Sequence, residues 1–512
     1  MEHIRIILFI VEVVFFWILI PSLAFFQIEQ GYDYSLTNVF GYIFISVGIL
    51  LAFYSALVAY VQRGQYSLML AYNNRLITSG PYRFIRHPVS TGYMIYLTGI
   101  FCLNASYITF AILISTAAFI ISLQLIFERY SSKRISEYDD YKTRVPAFVP
   151  FPGKKIPFDY SYSVPLMFIL MNLLMKFVIQ VAAFPAIRKK GKIKKDTPVI
   201  YAIQHQTHYD GPAMYYALTQ YFRPVGTALY VEKLPLLRKM GTIPVKRYER
   251  DMRAMKGIMS TLRNKFNIII APEAARSWDG ERLCIRKEIW KLFRKLDVPI
   301  IPVKFNGAQR LWPRWSNIVQ FFGHIDIEFG KPIDPGEDNV EEEIRSFLDK
   351  EDPSFNEPYR HYIGINRLLW RCPKCGTIGS IKGRIRGFFC TECGTSWEKP
   401  SVIEVIELHK KIRPDNMEVN FPVKDKVTFK NNKVEAQIFK NKALLGNQEF
   451  RFEDFRSSSI EANKENIFGL VHDTLRFFPA SSALMWKEII DHQIVFELGN
   501  KNYHTYYWDE NC

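Results

Sequence analysis

A histidine followed five residues later by an aspartate, in Gln204-His205-Gln206-Thr207-His208-Tyr209-Asp210, is a pairing whose residue types can move a proton. The apolar run Pro198-Val199-Ile200-Tyr201-Ala202-Ile203 reads as a buried strand and leads directly into it. If a helix starts there, His205 lies at its mouth and Asp210 about one turn in, facing back. A carboxylate so placed holds one imidazole nitrogen, fixes the tautomer and leaves the other nitrogen to accept a proton from a hydroxyl. His and Asp at this spacing also occur by chance in many proteins, so the pair gains meaning only from its company.

Three further blocks supply that company. Gly241-Thr242-Ile243-Pro244-Val245-Lys246-Arg247 follows a basic, helix-like segment at 233–240. Ala271-Pro272-Glu273-Ala274-Ala275-Arg276-Ser277 closes a strand that begins at Asn267, and Val298-Pro299-Ile300-Ile301-Pro302-Val303 is an apolar strand with paired prolines. Between the strands, residues 253–265 and 286–296 read as helices. Such alternation argues for an α/β layer with its motifs at strand ends. A lone arginine is more often a solvated charge, but Arg247 and Arg276 on opposing strand ends around a His–Asp pair favour a phosphate site.

In order and spacing these four blocks resemble the glycerolipid acyltransferase family, typified by 1-acylglycerol-3-phosphate acyltransferase, over residues 164–333. The resemblance implies that His205 is the general base and Asp210 its orienting partner. Arg247, Glu273 and Arg276 would bind the polar head or phosphate of the acyl acceptor, and the strand with Pro299 and Pro302 would shape the acyl-donor side. His205 would deprotonate an acceptor hydroxyl, which attacks the thioester of acyl-CoA or acyl carrier protein. The chain departs from the family pattern at Gln204, usually Asn, at Thr207, usually Ser, and at Ala274-Ala275, where Gly-Thr is expected. Alanine removes both the positive-φ freedom of glycine and a hydroxyl donor. His208 has no counterpart in the pattern and reads as a surface or structural residue.

The elements before these blocks are apolar. Residues 6–26 are long enough to cross a bilayer core, longer than a typical signal core, and lack a small-residue cleavage site afterwards. Residues 39–61 form a second run. A third, 93–127, is broken by Asn104-Ala105-Ser106 and reads as a tight helical hairpin. The segment 27–38 carries Glu29 and Asp33 but no base, whereas Arg63, Arg75, Arg83 and Arg86 follow the second run and Arg129, Lys133, Arg134, Lys142 and Arg144 the third. The positive-inside rule puts these basic segments, and the amino terminus, in the cytoplasm. A fourth run, 164–184, has basic flanks on both sides, Lys154 and Lys155 before and Arg188, Lys189, Lys190, Lys192, Lys194 and Lys195 after. It is expected to lie in or dip into the cytoplasmic leaflet, with the lysines on anionic headgroups.

The basic loop after the second run contains Gly80-Pro81-Tyr82-Arg83-Phe84-Ile85-Arg86-His87-Pro88, and the chain after the hairpin reads Glu137-Tyr138-Asp139-Asp140-Tyr141-Lys142-Thr143-Arg144-Val145-Pro146. As interfacial anchors, Arg, His and Tyr would need no further role. The stretch nevertheless resembles the isoprenylcysteine carboxyl methyltransferase and phospholipid methyltransferase superfamily over about the first 150 residues. That resemblance implies an S-adenosylmethionine site at the cytoplasmic face, built from Tyr82, Arg86, His87 and Glu128. Ser90 stands where the family usually has Tyr, and Phe127-Glu128 where it has a Glu-Glu pair.

Beyond the α/β alternation, an acidic amphipathic stretch at 341–348 reads as a closing helix. Cys372-Pro373-Lys374-Cys375-Gly376 and Cys390-Thr391-Glu392-Cys393-Gly394 then form two knuckles that resemble a zinc ribbon. Cys372, Cys375, Cys390 and Cys393 would complete a tetrahedral shell with no open position, hence a structural zinc. A redox dithiol or iron–sulfur site is the alternative. Lys382, Arg384 and Arg386 between the knuckles suit lipid or a protein partner, and no nucleic acid is expected. Cys102, Cys284 and Cys512 show no partner pattern. From Ser401 onward, a capped helix, several alternating strands and a final helix at 481–490 read as a small barrel or sandwich of pleckstrin-homology-like type.

Composition agrees. The 512 residues carry 66 Lys plus Arg against 50 Asp plus Glu, a formal charge of +16, with 48% hydrophobic and 15% aromatic residues, which excludes disorder. The pI is near 9.3 and the mean hydropathy −0.04, a combination that requires apolar and charged residues to be segregated along the chain. Seven cysteines, four of them in two close pairs, argue for a reducing compartment.

The expectation is a multidomain membrane protein: a transmembrane methyltransferase-like domain at 1–153, an α/β acyltransferase domain at 160–340, a zinc ribbon at 365–400 and a mostly-β domain at 401–512. It would sit in the cytoplasmic (inner) membrane with its catalytic domains facing the cytoplasm. There it would transfer a fatty acyl group to a lysophosphatidic acid-like hydroxyl in phospholipid biosynthesis. The alternatives are a methyltransferase acting on a lipid or prenylcysteine, a bifunctional enzyme, or a non-catalytic lipid-binding scaffold.

Overall fold

The structure is a computed structural model that describes residues 11–25, 36–63, 76–149 without 79 and 136–137, 166–177, 186–191, 198–316 without 208 and 247–250, 318, 323–455, 458–461, 467–470, 476–500 and 503. Of the first expected span, residues 11–25 are described and are helical. Helix α1, Leu36–Arg63, covers the second apolar run. The third is a hairpin of α2, Pro88–Leu103, and α3, Tyr107–Arg134, broken where Asn104-Ala105-Ser106 intervene. Ser106 caps α3 by accepting from the Thr109 N–H, while the Thr109 hydroxyl accepts from the Ser106 N–H. α1 and α3 are long and apolar enough to cross a membrane. Their outer faces expose Phe40, Leu50, Phe53, Ile114, Leu125 and Ile126, as a lipid-facing surface requires.

Small residues let α1 and α2 touch backbone to backbone. A Cβ on Gly48 would lie 2.5 Å from the Gly92 carbonyl oxygen, and one on Gly92 would lie 2.7 Å from the Ala52 nitrogen. Such close approach is how helices gain packing in lipid, where hydrophobic burial gives no drive for one helix to prefer another.

The fourth run is helical over α5, Leu166–Phe177, after the short α4, Tyr138–Arg144. Its 12 described residues give a length of about 18 Å. Phe168, Ile169 and Asn172 face inward, whereas Leu170, Leu173, Leu174 and Phe177 are exposed. Asn172 donates to the Tyr215 and Leu218 carbonyls, 2.7 and 2.9 Å away, at the end of helix α6, Asp210–Ala217.

A seven-stranded sheet follows: β1 Ala186–Lys190, β2 Ile200–Ile203, β3 Phe222–Thr227, β4 Ile243–Val245, β5 Asn267–Ile270, β6 Ile300–Asn306 and β7 His324–Phe329, ordered β1-β7-β6-β2-β5-β3-β4. Every neighbouring pair is parallel except β6–β7. Alternation along the strands feeds two cores. Ile200, Ile268, Ile270 and Ile300 pack under helices α7 (Met252–Arg263), α8 (Lys287–Leu296) and α9 (Val340–Leu348). Tyr201, Ile203, Ile269, Ile301 and Val303 pack on the other face with α5, α6 and the end of α1.

Two expectations need correcting. Lys190, expected on lipid headgroups, belongs to β1, and its ammonium lies 2.8 Å from Asp326 and 3.7 Å from Glu328 of the adjoining β7. Cys284, expected to lack a partner, is disulfide-bonded.

The last part of the chain builds a third core. A three-stranded ribbon, β8 Ile381–Arg384, β9 Gly387–Cys390 and β10 Ser396–Glu398, leads to helix α10, Val402–Ile412, capped reciprocally by Ser401 and Glu404. Then come seven antiparallel strands in one sheet and helix α11, Ala483–His492, whose Leu484, Trp486 and Ile489 are fully enclosed. The strands between Val423 and Pro479 are hydrogen-bonded side by side in one continuous order, and α11 follows them.

Candidate active site

The parallel strands β2, β3, β4 and β5 all end on one side of the sheet, and the chemistry-bearing blocks follow these ends. β2 runs into His205 and α6 begins at Asp210. The His205 Nδ1 lies 2.9 Å from Asp210 Oδ2, which assigns the Nδ1–H tautomer and makes Nε2 the proton acceptor. Asp210 is 1% exposed and accepts from the Gln206 N–H (2.9 Å), the Thr207 N–H (3.1 Å) and the Thr207 hydroxyl (2.8 Å). Threonine in place of serine therefore keeps the hydroxyl that holds the carboxylate. The His205 side chain remains 28% exposed. Burial lowers its pKa, the Asp210 hydrogen bond raises it, and the charges of Arg276 and Arg314 lower it, leaving it below the ordinary 6.5. The imidazole is thus neutral at pH 7, as a base must be.

The loop after β5 meets this pair. The Ser277 N–H donates to the His205 carbonyl at 3.0 Å, and the Gln206 amide donates to the Gly280 carbonyl at 2.6 Å. Arg276 stands close enough to His205 to depress its basicity. Arg314 was not singled out by the sequence, yet it also acts on His205; its guanidinium lies 4.6 Å from the Trp278 ring centroid and donates to the Arg276 carbonyl. The signal for it was an arginine framed by aromatics in Trp312-Pro313-Arg314-Trp315.

Glu273 points elsewhere. It is 1% exposed, and its nearest charged partner is Arg282, whose Nε is 3.6 Å away. Arg282 in turn reaches Asp349 (2.6 Å) at the end of α9. Burial pushes the Glu273 carboxyl up to about 8 despite Arg282. In this conformation the Glu273 carboxyl is buried, within electrostatic reach of both Arg282 and Asp210. Ala274 takes φ +55°, the left-handed conformation for which glycine was expected there. Arg247 and His208 lie outside the described residues.

At the membrane end, Glu128 is 2% exposed and gathers Arg86 Nε (2.8 Å), His87 Nε2 (2.8 Å) and Lys142 Nζ (3.2 Å). The backbone N–H groups of Arg86 and His87 donate to the Pro146 and Ala147 carbonyls, and the Tyr141 hydroxyl donates to the Tyr82 carbonyl at 2.6 Å. Gln124 donates to Ser90 at 3.1 Å. S-adenosylmethionine carries an ammonium and a sulfonium that need negative charge. Its own carboxylate needs a base; among the described residues here the buried carboxylate, Glu128, is paired with three bases.

The four knuckle sulfurs all lie within 4.8 Å of one another, with 3.8 Å between Cys372 and Cys393 and 3.7 Å between Cys375 and Cys390. Four thiolates about 2.3 Å from one tetrahedral zinc are about 3.8 Å apart. The donor set fits zinc, and it leaves no position for substrate.

Comparison with known proteins agrees with this division. Residues 185–306 match the acyltransferase family model, and residues 36–135 match the phospholipid methyltransferase family model. The chain is 26% identical over 145 residues to the chloroplastic 1-acyl-sn-glycerol-3-phosphate acyltransferase BAT2 of Brassica napus, covering 27% of this chain and 41% of that one. It is likewise 26% identical over 145 residues to the chloroplastic 1-acyl-sn-glycerol-3-phosphate acyltransferase LPAT1 of Arabidopsis thaliana, covering 27% and 40%. The chain thus spans about two fifths of the length of the curated relatives it matches. The crystal structure of the 1-acyl-sn-glycerophosphate acyltransferase PlsC from Thermotoga maritima aligns with a TM-score of 0.30 and 23% identity, covering 36% of this chain and 77% of that one. The chain therefore carries an acyltransferase-family domain and, before it, a phospholipid methyltransferase-type domain with two helices long enough to cross a membrane.

Two stability measurements test the loop. Because the folded Glu273 pKa lies above its unfolded value, its contribution is fully present below about pH 4.5 and is lost as pH rises through about 8. Glu273→Gln should therefore lose less melting temperature than the parent between those values, and parallel curves would show that the glutamate is ionised in the fold. Ala274→Gly should stabilise the protein by about 0.5–1 kcal/mol in denaturant titrations, because strain at a left-handed alanine exceeds glycine's entropy cost. A destabilised variant would refute the strained turn.

Proposed function

We propose that the protein is a membrane-bound O-acyltransferase that moves a fatty acyl group from a thioester, acyl-CoA or acyl carrier protein, to the hydroxyl of a lysophosphatidic acid-like glycerolipid. The observation that carries the reading is the His205–Asp210 pair at the end of β2, neutral, partly open and flanked by Arg276 and Arg314. His205 Nε2 takes the acceptor hydroxyl proton as the oxygen attacks the thioester carbon. The tetrahedral oxyanion collapses, the carbon–sulfur bond breaks, and the departing thiolate recovers the proton from the imidazolium. Asp210 stabilises that imidazolium without itself accepting the proton. Arg276, Arg314 and, by resemblance, Arg247 are the bases for an acceptor phosphate. Glu273 supports the loop that carries Arg276.

The Tyr221 N–H donates to the Val61 carbonyl at 2.8 Å, so the catalytic domain docks on the last turns of α1. The basic cluster of Arg86 and Lys142 lies near the same end, which supports a cytoplasmic orientation under the positive-inside rule. Exposed Leu170, Leu173, Leu174 and Phe177 on α5 give the domain a second apolar contact with the leaflet. We read residues 1–153 as the membrane anchor, 160–340 as the catalytic unit, 365–400 as a zinc ribbon and 401–512 as a module packed on it. The cation-filled Glu128 site supports a docking role for the methyltransferase-type region over methyl transfer.

His205→Ala should abolish acyl transfer from labelled acyl-CoA to lysophosphatidic acid in nanodiscs, while Asp210→Asn should lower kcat by about 100-fold or more through the lost tautomer control. In the parent, activity should fall on acidification only below the ordinary histidine value of 6.5. Unchanged turnover in His205→Ala would overturn the base assignment. Calorimetry with S-adenosylmethionine should give no binding heat, and saturable binding would restore the bifunctional reading.

A further inference from the structure

His409 lies on α10, far in sequence from the catalytic blocks, and is fully buried between two carboxylates. Its Nδ1 is 2.8 Å from Asp279 Oδ2, and its Nε2 is 2.9 Å from Glu488 Oε1 on α11. Asp279 and Glu488 are themselves fully buried. Trp370 donates to the second Glu488 oxygen at 2.7 Å, and Arg413 lies 3.1 Å from Asp279 and 3.5 Å from Glu281. Both ring nitrogens of His409 face carboxylate oxygens, so the ring serves as a double donor and is cationic. Burial alone would lower its pKa, but Glu488 and Asp279 outweigh that and raise it to about 9.

Asp279 belongs to the catalytic loop. Its Oδ1 accepts from the Ser277 hydroxyl at 3.1 Å and from the Glu281 N–H at 3.0 Å. Ser277 and Gly280 are the two residues that bond the His205 carbonyl and the Gln206 amide. From His409 to the backbone of the base there are thus two side chains, Asp279 and Ser277, neither of them exposed.

An independent observation points the same way. The core of the C-terminal part incorporates Trp278 from that loop and Trp315 from the segment beside it, where the Trp315 ring meets Tyr359 edge-on at 5.1 Å. The same segment bridges to Thr207 through Pro313 and carries Arg314. Both walls flanking His205 are therefore rooted in the C-terminal core as well as in the catalytic sheet, where Ala271 and Trp312 of the same segments pack.

We propose that the C-terminal module completes the active site, with His409 as a positioning residue that fixes the 277–281 loop against His205 through Asp279. The inference rests on the acyl-transfer reading above. A half-satisfied buried network is worse than none, so loss of the imidazolium leaves Asp279 and Glu488 facing each other with Arg413 alone to balance them.

The test uses the full-length protein in nanodiscs with three variants: His409→Gln, the charge-balanced His409→Gln/Glu488→Gln, and Ser277→Ala. Melting temperature and bound zinc report folding. kcat and KM report turnover, and the rate at which diethylpyrocarbonate modifies His205, read by peptide mass spectrometry, reports the base without needing substrate. Positioning predicts that the double variant regains the stability lost in the single one, yet keeps kcat about 10- to 100-fold down with little change in KM, and modifies His205 several times faster. Parent-like kcat and His205 reactivity in a stably folded double variant would overturn the proposal. Should neither His409 variant fold, Ser277→Ala decides in the same way, since it breaks the link without exposing a buried charge to an unpaired neighbour. An inactive parent protein would sink the acyl-transfer reading and leave the His205 modification rates to judge the link by themselves.

Discussion

The arrangement depends on one carboxylate kept charged inside the protein. Asp210 is almost wholly removed from water, and the cost of burying it is offset by donors from three consecutive positions, His205, Gln206 and Thr207. Hydrogen bonds to a charged group contribute on the order of 1.5–3 kcal/mol each. The same bonds force the chain to turn back on itself between β2 and α6, so the geometry that pays for the charge also fixes the imidazole. α6 begins at Asp210, which adds the favourable field of the helix amino terminus. No part of this depends on the membrane, which explains why the motif can be carried on a sheet of ordinary α/β construction.

The membrane acts through a shared core. Val58, Ala59 and Val61 of α1 pack in one cluster with Phe168, Ile169, Tyr215 and Phe222. Phe168 lies within aromatic packing distance of Tyr215, Tyr221 and Phe222, with centroids 5.3, 4.7 and 5.1 Å away. α5 therefore works from both faces: one helps bury α6, the helix that begins with Asp210, and the other offers apolar side chains outward.

Legibility in the sequence followed the range of the interactions. The β2, β5 and β6 strands, the helices α7, α8 and α9 and the hairpin break at Asn104 come from local patterns, and all stand close to where period and punctuation put them. The four cysteines converge because each Cys-x-x-Cys knuckle fixes its own half of the tetrahedron. The inward turn of Glu273 was not readable, since its partner Arg282 and the end of α9 meet it only in three dimensions. Lys190 was misread because a base at the edge of a sheet looks the same in sequence as a base on a headgroup. His409, 130 residues from Asp279 and 79 from Glu488, carries no local signature at all.

The departure at Ala274-Ala275 joins these observations. A left-handed alanine costs about 1–2 kcal/mol, so the loop would relax unless its neighbours over-determined it. They do so on both sides. The Ala274 N–H closes a turn on the Ala271 carbonyl at 3.0 Å, and Ser277 is tied to His205. Asp279 is held by His409 and Arg413 through charge-assisted bonds, each worth as much as the strain or more. A loop without its glycine can therefore keep the conformation that presents Arg276, provided that its far end is clamped. The clamp comes from the C-terminal module, which makes the substitution in the motif and the buried histidine two parts of one solution.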